Sequence, residues 1–333
     1  MYFTLIIGII QLYVNWDIGG NSSYMIDNLI IVSTQVIVLF ILIALGFICG
    51  KTGLIKDNGA KYLTDIVLYL ATPCIMIKAF QEVEYEDGIL INLGIAALCS
   101  FLIQFLSIPL CKLIFRDKNE NRRKILQFTA IFSNCGFMSL PLQNAVLGSK
   151  GVFYGSVFVA MFNIIIWSYG LIDMSGDKKF FTPKKLILNP GILGVIVAVL
   201  LFFLKIKLPT VFIEPINYLA GLNTPVPMLV IGFYLSQTNL AKIFKDLGAY
   251  ISMGLRLVAI PLVSLLVMWL CKVSGDVLVA CTIAAAAPAA ATTTMFSTKF
   301  GRDTDLSVGI VSATSLLSII TMPVIIAFAQ TLA

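Results

Sequence analysis

The chain has 333 residues, of which 59% are hydrophobic and only 12% charged, and its mean hydropathy is +0.97. Soluble domains carry about 25% charged residues, so these values point to a polytopic membrane protein and exclude a soluble enzyme. There is no histidine, which removes the commonest metal ligand and the usual general base; the net charge of +6 then belongs to loop topology, not to a nucleic-acid footprint.

Residues 1–24 read as an N-terminal extension. Positions 2–14 are apolar but too short to span, no basic segment precedes them, and Met25 is an alternative start of translation. A span needs about 20 mostly apolar residues. Ten segments qualify, at about 26–50, 60–81, 88–114, 125–148, 151–173, 189–206, 212–237, 247–271, 276–299 and 304–331. The longest connections, 116–124 and 174–185, are too short to fold as a soluble module. Seven cysteines lie mostly in apolar segments without a CxxC pair, which suits free thiols acting as small hydrophobes and offers no metal site.

Numbered from the N-terminus, the odd connections carry 17 of the 23 Lys and Arg residues. The positive-inside rule therefore predicts odd loops in the cytoplasm and both termini outside, in a plasma membrane. Arg256 stands apart, inside the eighth span.

The second and seventh spans share a pattern. "YLATPCIM" (69–76) and "YLAGLNTPVPM" (218–228) both run Tyr-Leu-Ala, then Thr-Pro, then Met. The fourth span holds Pro141 and the ninth Pro288, and the paired prolines are 152 and 147 residues apart. Two five-helix units, 25–173 and 189–333 with 174–188 as a cytoplasmic linker, would lie in opposite orientations. The predicted fold class is thus all-α and polytopic, with ten transmembrane helices in two inverted repeats.

Proline suits the first turn of a helix, so Pro141, with Ser139 near the cap, and Pro288 are predicted to start the second halves of broken helices that cross. A helix start carries about half a positive charge. Two such starts meeting near the midplane make an anion site without a basic side chain. Asn134, Gln143, Asn144, Thr292 and Thr293 surround the breaks as candidate substrate contacts, with Asn163 and Arg256 as accessory candidates. The alanines of "AAAAPAAA" allow the close crossing.

"NCGFMSLPL", "ALGFICGKTGLI" and "AAPAAATTTMFSTKFGRDTDLSVGIVSATSLLSIITMPV" resemble the auxin efflux carrier family over about 25–331. The resemblance implies a fold like that of the bile-acid sodium symporters, with helices 1, 2, 6 and 7 as scaffold and the rest as a mobile core. It also implies a homodimer through the scaffold, carboxylate substrates resembling malate or auxin, and contact between Asn134 and the substrate carboxylate. The long cytoplasmic loop of many plant members is absent.

Asp65, Glu214 and Asp276 lie near predicted helix ends and Asp173 ends the fifth span, where interfacial charges are ordinary. No deep carboxylate offers itself as a proton carrier. A coupling Na+ or H+ stays open, as does uncoupled efflux, which the membrane potential favours by about 2.3 kcal/mol per charge per 100 mV. The leading expectation is a secondary transporter of small organic anions working by alternating access, with no cofactor and no enzymatic activity. The alternative is a channel or ligand-sensing receptor on the same fold.

Overall fold

The structure, a computed structural model, describes residues 21–184, 188–238 and 243–333. Its helices in chain order are α1 (Asn21–Lys51), α2 (Asp57–Glu82), α3 (Ile89–Ile114), α4 (Glu120–Ile131), α5 (Cys135–Ser175), α6 (Pro190–Phe203), α7 (Thr210–Gln237), α8 (Leu247–Leu270), α9 (Gly275–Ala286), α10 (Thr292–Lys299) and α11 (Thr304–Leu332). Among the described residues there is no strand, and seven of the helices are long and apolar enough to cross a membrane. The helix α1 starts four residues ahead of Met25; the rest of the predicted N-terminal extension lies outside the described residues, as do 185–187 of the linker.

The fourth predicted span is α4 plus the start of α5, and the ninth is α9 plus α10. The fifth is the remainder of α5. At 1.5 Å per residue, the 41 residues of α5 would far exceed a bilayer's thickness of about 30 Å. Gly148 divides the helix with φ 61° and ψ −150°, a conformation only glycine adopts readily. The arms before and after it double back. A Cβ on Gly155 would sit within bonding distance of the Gln143 amide, although residues twelve apart on a straight helix are separated by about 18 Å.

Helix α7 is interrupted between Gly221 and Pro225, at the Thr-Pro of the repeated pattern. The equivalent place in α2 is a wide π turn, Val67–Ala71, followed by Pro73. The Thr72 hydroxyl donates to Asn223 Oδ1 at 3.0 Å, so the two Thr-Pro sites meet. The second half of α7 packs on α1 and leaves no space for side chains at their contact: a Cβ on Gly232 would lie 2.0 Å from the Ile43 carbonyl oxygen, and one on Gly46 2.3 Å from that of Leu229. Small residues serve the same end in other membrane helix pairs. Large apolar side chains such as Ile41 on α1, Phe105 on α3 and Val263 on α8 are exposed, as a lipid-facing surface requires.

The loops sort to two ends. At one, Arg302 bonds to Asn121 and the Met174 carbonyl, Lys124 bonds to the Asp173 carbonyl, and Arg122 grips Asp246; these join the third, fifth, seventh and ninth connections. At the other, Gln81 bonds to the Ile206 carbonyl, Lys150 to Glu86, and Gly275 N–H to the carbonyl of Ala333.

Arg122 donates from both terminal nitrogens to Asp246, each at 2.5 Å, and from Nε to Asp117 at 2.8 Å. The guanidinium holds the Asp246 carboxyl below its ordinary range, against a smaller opposing effect of burial. A depressed carboxylate adds stability that is complete above its unfolded value of about 3.9 and is lost as pH falls through the lower folded value. We expect Asp246→Asn to lower stability at neutral pH by about 1 kcal/mol, since the pair is partly solvated. The gap between variant and wild-type melting temperatures should close as pH drops below 4; a gap constant with pH would rule out this ion pair as its source.

Candidate functional site

Two interruptions of regular helix face each other. Between α4 and α5 the residues Phe132, Ser133 and Asn134 are non-helical, and between α9 and α10 the residues from Ala287 to Ala291 are. Ser133 and Ala289 form an isolated antiparallel bridge. Asn134 N–H donates to the Pro288 carbonyl at 2.7 Å and Ala290 N–H to that of Phe132 at 2.9 Å. Ala289 N–H is taken by the Thr314 hydroxyl of α11 at 3.2 Å. The backbone bonds lost by unwinding are thus replaced within the protein, as a lipid environment demands.

Pro288 does not start a second half as predicted, whereas Pro141 lies in the first α-helical turn with Ser139 at its N-cap position, after a π turn, Cys135–Ser139, that the sequence did not show. Pro288 lies inside the extended stretch, and α10 begins at Thr292. The physical reason is that Pro288 disfavours α geometry at the residue before it, and Ala287 is extended at ψ 147°. Unwinding therefore runs through Pro288 and not up to it.

Beside the paired breaks lies a cavity of about 280 Å³. One wall is α2, another the second arm of α5, and a third the approach to α6; the breaks close it. Its lining is mainly apolar, with Phe137, Phe162 and Trp167 prominent. Three of the four π turns among the described residues contribute to it, through Leu68, Phe137 and Trp167. Such turns widen the helix and re-aim side chains, and they concentrate at functional sites.

Of the candidate residues, Asn134, Asn163 and Thr292 line this cavity. Asn134 is only 5% exposed, and its amide nitrogen has no hydrogen-bond partner among the described residues. A buried donor left so costs about 1–3 kcal/mol. The Thr292 hydroxyl is likewise without a partner, whereas Asn163 spends its amide on the Val159 carbonyl one turn back, at 2.9 Å. Thr72 also reaches the cavity, as does Asp65, the one charged side chain that lines it among the described residues. Asp65 reads from sequence as an interfacial charge; on α2 it stands about one and two turns before Tyr69 and Thr72, which line the cavity with it.

Ser139, Pro141, Gln143, Pro288 and Thr293 are buried but do not line the cavity, and Asn144 is exposed. Gln143 donates to the Ala280 carbonyl at 2.8 Å, tying α5 to α9. Arg256, the other accessory candidate, does not line the cavity. It is 2% exposed and bonds to backbone carbonyls at the ends of α4 and α9. Sequence reasoning missed Asn223 and the approach to α6, where Asn189 caps the helix by accepting from Gly191 and Ile192 N–H; the dipeptides Asn-Thr and Asn-Pro before each helix start are the signal that could have found them.

Residues 31–326 match the family described as membrane transport protein. The chain belongs to that family, the auxin efflux carriers. Within it, the chain is similar to an uncharacterized transporter of Methanocaldococcus jannaschii, 26% identical over 62% of this chain and 69% of that protein. It is also similar to an uncharacterized transporter of Methanothermobacter thermautotrophicus, 24% identical over 87% of this chain and 96% of that one. This auxin efflux carrier family member is therefore a multi-pass membrane transporter.

Because Gln143 bonds away from the cavity, Gln143→Ala is expected to lower stability by about 1–3 kcal/mol through the orphaned Ala280 carbonyl. Its affinity for any ligand of the cavity should stay at the wild-type value in the same purified sample. Weakened binding at unchanged melting temperature would put Gln143 in the site after all.

Proposed function

We propose that the protein is a secondary carrier of small organic anions, worked by alternating access, with the substrate carboxylate bound between the two breaks. The observation that carries this reading is the Asn134 amide: a buried donor without a partner among the described residues, lining a cavity at the start of a helix. The starts of α5 and α10 each add about half a positive charge beside it, and the Thr292 hydroxyl adds a second donor. Aromatic side chains around these few polar groups suit an anion with an apolar body.

We read the fold as two five-helix units of opposite orientation. The meeting of the two Thr-Pro sites and of the two breaks supports it, and so does the antiparallel sense of the bridge. Odd loops in the cytoplasm, both termini outside, a plasma-membrane location and a homodimer through the helices around α7 complete the proposal. Asp65 supports a proton-coupled form of it, since protonation would remove a negative charge facing the anion.

Asn134→Ala is expected to weaken carboxylate binding by about 0.5–3 kcal/mol, the range from neutral to charge-assisted bonds. Asn134→Asp should be worse, because it sets an acceptor-only charge against an anion. The measurement is affinity and melting temperature on one purified sample, for a panel of mono- and dicarboxylates. Tight carboxylate binding by Asn134→Asp would overturn the site. Asp65→Asn should remove the dependence of uptake on an imposed pH gradient while binding persists; a gradient response that survives it excludes Asp65 as the proton carrier. Counterflow separates carrier from channel, since only a carrier is accelerated by unlabelled substrate on the far side.

A further inference from the structure

The breaks create two helix C-termini as well as two starts. α4 ends at Ile131 and α9 at Ala286, both inside the protein. A helix end carries about half a negative charge and bare carbonyls. Arg256 reaches both. Its guanidinium donates to the Ile131 carbonyl at 2.8 Å and that of Ala130 at 3.3 Å, and also to that of Ala285. It makes no ion pair with a carboxylate among the described residues. Two helix ends of about half a charge each offset its single positive charge.

The segment bearing Arg256 is held in place for this. It lies in the π turn Leu255–Ala259 of α8, the fourth such turn among the described residues. α8 runs alongside α4 in the same direction: Asp246 meets Arg122, Ser252 bonds to the Leu126 carbonyl and Thr129, and Arg256 meets Ala130 and Ile131. Residue numbers rise together along both helices, so the ladder delivers the guanidinium to the end of α4.

Carbonyls at the ends of interrupted membrane helices, converging on one point, are the chemistry with which transporters of discontinuous helices bind sodium. We infer that Arg256 is a resident cation: its guanidinium permanently fills a cation site formed by the ends of α4 and α9, so that the breaks are held together without any free Na+ or K+. The inference concerns the ends of the helices opposite to those of the proposed anion site, and it stands whether or not a carboxylate binds there. Its consequence is that a sodium ion has no place at the breaks, and that the starts of α5 and α10 are left as the uncompensated positive ends.

The test is thermal unfolding of the purified full-length chain in detergent. Wild type should melt at the same temperature in NaCl, KCl and choline chloride of equal ionic strength; a saturable stabilisation specific to Na+ or K+ would overturn the inference. Arg256→Ala should melt lower, and millimolar methylguanidinium should restore it saturably while equal tetramethylammonium does not. Arg256→Met fills the same space without charge and should not respond. Equal losses in both variants with no response to methylguanidinium would reduce Arg256 to packing. Where Arg256→Ala yields no folded protein, Arg256→Lys decides. It retains a charge and should melt above Arg256→Met; a lysine variant no more stable than the methionine one overturns the resident cation.

Discussion

Everything in this molecule turns on the cost of unwinding two helices inside a membrane. An unsatisfied backbone group in hydrocarbon costs several kcal/mol, and each break exposes carbonyls at one side and N–H groups at the other. The carbonyl side is answered by one guanidinium shared between α4 and α9. The unwound segments answer each other through the Asn134–Pro288 and Ala290–Phe132 bonds, with Thr314 taking the remaining Ala289 N–H. Among the described residues no basic side chain lines the cavity beside the helix starts, and Asp65 is the one charged side chain that does. In the proposed reading, that asymmetry of negative ends neutralised and positive ends left is what would suit the cavity to an anion.

The same constraint explains the polar residues that are not in the site. Gln143, Thr129, Ser252 and Thr314 are fully or almost fully buried, and each bonds to backbone or to a neighbouring hydroxyl. Interhelical bonds of this kind are worth around 0.6 kcal/mol on average in a membrane, so their value lies in fixing register more than in bulk stability. Register matters most along α4 and α8, where a slip of one turn would withdraw Arg256 from both helix ends.

Much of this was legible in the sequence. Composition and span length placed nearly every long helix, because in lipid the apolar run itself defines the element. The paired proline patterns marked both sites of interruption. Their exact course was not legible: a proline signals strain, but unwinding settles where replacement hydrogen bonds exist, and for Asn134 the partner is a carbonyl 154 residues away in the chain. Arg256 stood out as the one basic residue outside the loops. Its partners did not, since every residue carries a carbonyl and only tertiary structure says which are bare. Gln143 and Asn144 looked alike beside Pro141, yet helical geometry turns one into the interior and the other to the surface. Asn223 escaped notice because the Thr-Pro pattern drew attention to the proline and not to the residue before the threonine.

The bonding pattern also limits how such a carrier could move. The two breaks share backbone bonds, a guanidinium and the Thr314 hydroxyl of α11, so in the proposed carrier α4, α5, α8, α9, α10 and α11 would travel as one body. Contact between this body and α1 and α7 is of another kind. Met138 and Leu142 of α5, Val279 and Ile283 of α9, and Met322 and Ile326 of α11 meet Val36 and Ile43 of α1 and Met228 of α7 in an apolar cluster. Dispersion contacts lack direction, and methionine adapts to new neighbours at little cost. Sliding there exchanges one apolar contact for another, whereas separating the breaks would strip hydrogen bonds in lipid. The Thr238 and Ser312 hydroxyls, 3.0 Å apart between α7 and α11, form a polar link across this seam at the end where the odd loops gather. A motion that opens that end must break this bond, and one that opens the opposite end can keep it.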